Sequence, residues 1–301
     1  RWKWTAVVIS VVIVTYNNHA EIGACLDALH LASASFTTHL FLIDNASTDG
    51  TGELLEEYRS RCASHFHRFL VIRNGQNRGF TAAVNQGLLH CRGDFFLLLN
   101  PDVVIPEGAL AVLLRQFERD PAIGVVAPQL RFPDGRIQPS CRRFPRRRDV
   151  LLEVSGLVHL ARRLGFKDWK MTDFDHRHSR FVDQPQGAFL LARQELLDRL
   201  GGLDERYFMF FSDVEWCERV IASGWKIWFC SDTFVRHHKG ASVYRERPRM
   251  LVTSTRSFID YLSAHDRSRC DRFATAVVAL ILKLTLQVRL LAEKARETLT
   301  P

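Results

Sequence analysis

What most constrains this chain is an alternation of two periodicities over its first hundred residues. Val7–Val14 is a continuous β-branched run, the pattern of a strand buried on both faces of a parallel sheet. Glu21–Leu31 then carries helical spacing through Ile22, Leu26 and Leu29. The alternation repeats with a strand at His39–Asp44 and a helix over Ser47–Arg59, opened by Ser/Thr/Asp caps. A strand at Phe69–Arg73, a helix at Thr81–Leu89 and a strand at Asp94–Leu99 complete it. Connections this short predict an α/β fold around a mostly parallel sheet. Polar residues gather where the strands end: Thr15-Tyr16-Asn17, Asp44-Asn45, Asn74 to Gly79 and Asn100-Pro101-Asp102. Ligands of open α/β sheets bind beyond the carboxyl ends of the strands, so this half is expected to bind one.

After Pro106 the pattern changes to a helix at Gly108–Arg119 and a strand at Ile123–Leu130. An Arg- and Pro-rich stretch from Arg131 to Arg148 follows, then a helix over Leu151–Leu164. Trp169 to Arg180 lacks apolar periodicity and is expected to be a mobile loop. A strand at Gly187–Leu191, a helix near Glu195–Leu200, a helix at Asp213–Ser223 and a strand at Trp225–Cys230 come next, and the chain is helical from Met250 onward. With no repeat or linker, the two halves are expected to share one sheet.

Charge and cysteine usage narrow the partners. Of 301 residues, 41 are Lys or Arg and 33 Asp or Glu, a net charge of +8, which suits an anionic partner: phosphate esters, a lipid surface or nucleic acid. A nucleic-acid role lacks any recognition helix or Gly/aromatic RNA-binding signature. The seven Cys are dispersed with no CxxC pair, which reads as reduced thiols of a cytosolic protein. The apolar run Thr5–Val14 passes straight into a motif-bearing loop and reads as a strand, not a secretory signal. Phe273–Leu282 is nearly all apolar but is broken by Lys283 and Arg289, and is expected to be too short to span a membrane.

Several residue sets could carry chemistry. Asp102, on a loop directly after a buried strand, can hold a divalent cation; alone, Asn-Pro-Asp is a common turn. Asp44 could accept a hydrogen bond from the ring N–H of uracil or thymine, whereas Ser47, Thr48 and Asp49 are explained as helix caps. Asn77-Arg78-Gly79 places a guanidinium and a flexible glycine at a helix start, where phosphate oxygens are favoured. Asp213 opens a helix after the aromatic run Tyr207–Phe211, either to complement the helix dipole or as a base beside an apolar wall. His237 and His238 point to opposite faces of a strand, so one could be a ligand and the other structural. The five Arg between Arg142 and Arg148 suit a solvated loop or a lipid-phosphate surface.

Taken in order, TYNN (15–18), IDNASTDGT (43–51), NRGFTAAVNQG (77–87), LLLNPD (97–102), QGAFLLAR (186–193), LDERYFMFFSDVEWCERV (203–220) and HHKGAS (237–242) resemble family 2 inverting glycosyltransferases, in particular their rhamnosyltransferase-like branch. The resemblance implies a GT-A fold: a mostly parallel central sheet flanked by helices, with C-terminal helices. It implies a nucleotide-sugar-binding half over 1–105, an acceptor-binding and catalytic half over 106–245, and a helical extension over 246–301. Thr15, Tyr16, Asn17, Asp44 and Asn45 would then border the nucleotide base, and Asn77, Gly79 and Asn85 the ribose and diphosphate. Asn100 and Asp102 occupy the family's DXD motif, with Asp102 and His237 expected to meet Mg2+ or Mn2+. Gln186, Gly187 and Ala188 would face the acceptor, and Asp213 matches the catalytic base. Two departures stand out: Asn100 replaces the first acid of the motif, and Ser212 precedes Asp213 where relatives often carry Glu.

The activity so implied is transfer of a sugar from a nucleotide diphosphate, rhamnose from dTDP-rhamnose first and a UDP-hexose second. The acceptor would be a hydroxyl of a glycan or polyprenyl-diphosphate-linked sugar in bacterial cell-surface polysaccharide synthesis. A nucleotide-sugar-binding protein without turnover would lack Asp102 or Asp213, or bury them in salt bridges; both acids are present. The implied setting is cytoplasmic, with the C-terminal helix meeting the inner membrane face, the catalytic domain or a second subunit.

Overall fold

The computed structural model describes residues 7–238 and 247–299. Its elements run in chain order β1 (Val8–Thr15), α1 (His19–Ala32), β2 (Thr37–Asp44), α2 (Thr51–Cys62), β3 (Arg68–Arg73), α3 (Phe80–Leu88), β4 (Phe95–Leu99) and β5 (Val103–Val104). There follow α4 (Ala109–Gln116), β6 (Ile123–Arg131), β7 (Ile137–Gln138), β8 (Cys141–Arg142), α5 (Arg147–Val154) and α6 (Val158–Arg163). The last are β9 (Arg180–Phe181), β10 (Gln184–Pro185), β11 (Phe189–Arg193), α7 (Gln194–Leu200), α8 (Ser212–Ala222), β12 (Lys226–His237), α9 (Arg247–Ala264) and α10 (Arg269–Leu299).

One sheet holds both halves, in the order β3-β2-β1-β4-β11-β6-β12-β5. Its first four strands are parallel, and β11 then enters antiparallel between β4 and β6. Strand alternation divides the core in two. Ile9, Val11 and Ile13 of β1 face a layer with Ile22, Leu26, Leu55 and Leu110, whereas Val12 and Val14 face one with Val84, Leu196 and Trp216. The near-unbroken apolar strands follow from helices covering both faces.

Three expectations require correction. The helix foreseen over 151–164 is two short ones, because Gly156 turns the chain at φ +72°. The segment 169–180 is not a free loop. His176 is buried in it, and Asp168 just before it accepts from Arg162 Nε and Lys170 N, both at 2.8 Å, and from Thr172. His176 accepts from Ser140 N and Cys141 N, so the segment is fixed by long-range hydrogen bonds and not by an apolar period. Finally, α10 continues past Lys283: within Arg269–Ala295 an 18-residue window reaches a mean hydropathy of 1.8, so the helix is long and apolar enough to cross a membrane by length and composition. Lys283 and Arg289 are isolated charges that interrupt the composition without ending the helix.

Much of the basic cluster is engaged within the molecule, while Arg146 and Arg148 stay exposed. Arg143 grips Asp173 through two bonds of 2.8 and 2.7 Å, Arg148 lies over the Phe166 ring, and Arg142 donates to the carbonyls of Cys141 and Lys170. Arg147 reaches Asp266, Asp271 and Thr275, tying α5 to the C-terminal hairpin. That hairpin is pinned to the loop and helix at 207–222 as well. Tyr261 Oη donates to Glu218 at 2.5 Å, Ser257 Oγ to the Met209 carbonyl at 2.8 Å, and Phe258 stacks on Phe211 at 4.8 Å.

Candidate active site

The parallel register brings Thr15, Asp44 and Arg73 into one row at the carboxyl edge. Asp44 is only 1% exposed; its Oδ1 accepts from Ser47 N at 3.1 Å and its Oδ2 lies 3.6 Å from Arg73 Nε. Loop 15–18 is stitched to the next strand end. Asn17, left-handed at φ 56°, accepts from Thr48 N at 2.8 Å, and Asn17 N donates to Ser47 Oγ at 2.9 Å. Tyr16 remains partly exposed at this edge. Asn45 organises the neighbouring loop by donating to Asn77 Oδ1 and the Gly79 carbonyl and accepting from Asn74 and Arg78 N.

Gly79 joins this floor to the second half. With φ +86°, its backbone lies so close to Phe208 that an added Cβ would sit 2.7 Å from the Phe208 carbonyl oxygen. Asn85, one turn into α3, ties the two halves together as well. Its amide donates to the Leu203 carbonyl and accepts from Leu203 N, both at 2.8 Å, so it clamps the loop before the aromatic run.

Insertion of β11 next to β4 builds the centre. Asn100 N donates to the Ala188 carbonyl at 2.9 Å, so Asn100 and the Gln186–Ala188 segment adjoin. Gly187 N in turn donates to Asp213 Oδ2 at 3.1 Å, and a Cβ on Gly187 would meet that oxygen at 2.8 Å. Asp213 is aimed by two successive left-handed residues, Phe210 and Phe211, at φ 63° and 64°. Such strain in bulky residues costs on the order of 1–3 kcal/mol each and persists only where the surroundings impose it. Here the Phe211 ring is held by Phe258 and Tyr261. Enclosure among apolar neighbours raises the Asp213 carboxyl above the ordinary carboxylate range, partly countered by the N–H groups of Gly187 and Val214.

Beyond Asn100, Asp102 meets the end of β12. His238 N donates to the Asp102 carbonyl at 3.0 Å, and His237 Nε2 lies 3.5 Å from Asp102 Oδ1. That oxygen is buried and has no hydrogen-bond partner among the described residues. An uncompensated buried carboxylate oxygen facing an imidazole nitrogen is a donor set that fits a hard divalent cation. Two side chains make only part of a coordination sphere, and no cluster of three or more His, Cys, Asp or Glu forms among the described residues. Phosphate oxygens and water would have to supply the rest. Lys239, Gly240 and Ser242 of the last motif lie outside the described residues.

Sequence reasoning passed over Gln138, and it placed Phe208 in the aromatic wall without its contact to Gly79. Gln138 sits in the Arg- and Pro-rich stretch, and nothing local marks it. The Phe208 contact could have been found through Gly79, since a glycine at a helix start often marks a close approach.

The comparisons agree with this architecture. The N-acetylglucosaminyl-diphospho-decaprenol L-rhamnosyltransferase of Mycobacterium tuberculosis is 28% identical over 274 residues, 85% of this chain and 84% of that protein. Mannosyltransferase PcManGT from Pyrobaculum calidifontis, solved with GDP-Man and Mn2+, superposes with a TM-score of 0.59 at 17% identity, covering 98% of this chain and 81% of that one. TarS 1-349 of S. aureus in complex with UDP-GlcNAc gives 0.54 at 17% identity, covering 91% and 70%. The fold is therefore GT-A. The model for glycosyl transferase family 2 matches residues 10–177. A match across more than half of the length, on the strands and loops that build this edge, places the chain in glycosyl transferase family 2.

Proposed function

We propose that this chain is an inverting glycosyltransferase that moves a sugar, rhamnose from dTDP-rhamnose, to a hydroxyl of a glycan or polyprenyl-diphosphate-linked acceptor. The observation that carries the reading is the placement of Asp213 on Gly187 N, beside the Asn100–Ala188 junction that leads to Asp102. Residues 1–105 would hold the nucleotide and 106–245 the acceptor. The acceptor oxygen forms the new bond to the anomeric carbon as the bond to the diphosphate oxygen breaks on the opposite face. Asp213 takes the hydroxyl proton, a contribution of roughly 10²–10⁴-fold. Its enclosure keeps the carboxylate basic enough to do so, and Gly187 N holds the oxygen in place. Mg2+ or Mn2+ held by Asp102 and His237 would offset the charge developing on the leaving diphosphate.

The test is nucleotide release from a panel of UDP-, dTDP- and GDP-sugars with Mg2+ or Mn2+. One donor class should turn over. Asp213→Asn should keep donor binding and lose transfer; Asp102→Asn should lose metal-dependent turnover. A UDP-hexose as sole donor would replace rhamnose, and transfer by the Asp213→Asn protein within a fewfold of wild type would remove the base.

A lipid-linked acceptor belongs at a membrane, and α10 supports peripheral contact there. Phe273, Val277, Leu280, Leu284, Val288 and Leu291 are all exposed at three- and four-residue spacing, with Lys283 and Arg289 beside them. Basic residues near an anionic surface contribute about 1 kcal/mol each. Co-sedimentation with anionic but not neutral vesicles, lost in L280S/L284S/V288S, is the expected result. A dimer in solution that the same triple substitution dissolves would assign the stripe to a second copy.

A further inference from the structure

We infer that Gln138 is a positioning residue that holds His237 in the tautomer whose Nε2 lone pair faces Asp102, while its other end grips Gln186 beside the base-holding Gly187. The inference rests on the proposed metal and base roles but concerns a residue that no motif contains. Gln138 is fully buried on β7, paired to Leu130 of β6, and lies 99 residues from His237 in the chain.

The tautomer follows from counting donors. Gln138 Nε2 donates to Gln186 Oε1 at 3.4 Å, which turns its Oε1 toward His237 Nδ1, 3.1 Å away. An amide oxygen only accepts, so Nδ1 must carry the proton. A neutral imidazole has one N–H, so Nε2 bears a lone pair. It faces Asp102 Oδ1 at 3.5 Å, an oxygen without a hydrogen-bond partner among the described residues. With the ring neutral, two acceptors confront each other there, and either a bound cation or a second ring proton relieves the confrontation. A ligating imidazole whose remote N–H is held by an oxygen is oriented and more basic at the ligating nitrogen.

The same side chain reaches the other half of the reaction. Gln186 N donates to the Ser140 carbonyl at 2.8 Å, and the next residue's N–H meets Asp213. Ser140 N and Cys141 N both donate to His176 Nε2, at 3.2 and 3.0 Å. Gln138 is thus held in a rigid turn, with a satisfied amide between the cation pair and the acceptor segment. An apolar residue of similar volume would fill the space and leave His237 free to rotate its proton onto Nε2, where Asp102 would accept it.

Two readouts independent of turnover test this. In protein carrying 15N-histidine, two-bond 1H–15N spectra, with His237 identified by His237→Asn, should show the Nδ1–H tautomer. In Gln138→Leu the signal should move to the Nε2–H form, and Mn2+ alone, titrated by electron paramagnetic resonance, should bind roughly 10- to 100-fold more weakly. Gln138→Glu, whose carboxylate still accepts from Nδ1 but gives up the bond to Gln186, should bind Mn2+ more tightly than Gln138→Leu. Wild-type protein showing the Nε2–H form overturns the inference without any variant, which covers the case of a Leu variant that fails to fold. A Leu variant with unchanged tautomer and Mn2+ affinity overturns it equally. Wild-type protein that binds no Mn2+ would strike the metal from the proposed function, while the tautomer would still decide the role of Gln138.

Discussion

Acidification should unlock the wall behind the active site through one histidine. His176 is 1% exposed; its Nδ1 donates to the Phe174 carbonyl and its Nε2 accepts the two backbone N–H groups of Ser140 and Cys141. A second proton would place N–H against N–H, and burial pushes the pKa down to about 4 from 6.5. The folded state therefore favours the neutral ring, and its contribution is complete above the unfolded value. As pH falls below 6.5 the unfolded chain takes a proton that the folded chain refuses, at about 1.36 kcal/mol per pH unit. By pH 4 the loss reaches about 3 kcal/mol, a large share of the roughly 5–15 kcal/mol that holds a typical domain. Urea unfolding followed by tryptophan fluorescence at several pH values measures it, with His176→Gln as the control. The Gln amide oxygen can still accept from Ser140 and Cys141 but does not titrate. His30 and His39 fall in the same direction and His265, paired with Glu218, in the opposite one, so only the difference between the two proteins isolates His176. Equal pH slopes in both proteins would refute the reasoning.

Three substitutions probe other contacts. Gly187→Ala should lower kcat by roughly 10²-fold with donor binding intact, since displacing a reacting group by about an ångström has that effect; unchanged kcat would show that Asp213 is not held by Gly187. Asp44→Ala should weaken binding of the free nucleoside diphosphate in calorimetry and, by freeing Ser47 N and Arg73, lower stability by about 1–3 kcal/mol. Wild-type affinity would count against base recognition. Gly79→Ala should destabilise by a similar amount, because it combines a left-handed backbone with a Cβ driven into Phe208; an unchanged melting temperature would refute that contact.

The strand–helix rhythm of the first hundred residues and the clustering of Thr15, Asp44, Asn100 and Asp102 at one sheet edge were legible because both are local. A buried parallel strand announces itself by β-branched residues, and topology places its end. Boundaries slipped where polar side chains serve neighbours instead of their own helix. Ser47 and Asp49 looked like caps of one helix, but Ser47 accepts from Asn17 N and Asp49 from His19 N as well as Thr51 N, so α2 begins only at Thr51. The insertion of β11 between β4 and β6, the clamp by Asn85 and the bond from Gln138 to His237 join residues that no local period relates. The segment around His176 was misread for the same reason: its order comes from hydrogen bonds to distant backbone.

That inserted strand also sets a timetable for synthesis. When β1 to β4 have left the ribosome they can already pair, but the outer edge of β4, the all-apolar Phe95–Leu99, has no neighbour until β11 arrives. About ninety residues separate Leu99 from Phe189. At roughly 5–20 residues per second, the growing chain carries that open apolar edge for about 5–20 s. A bare strand edge invites pairing with any other chain, so the nascent first half should be a client of ribosome-associated chaperones.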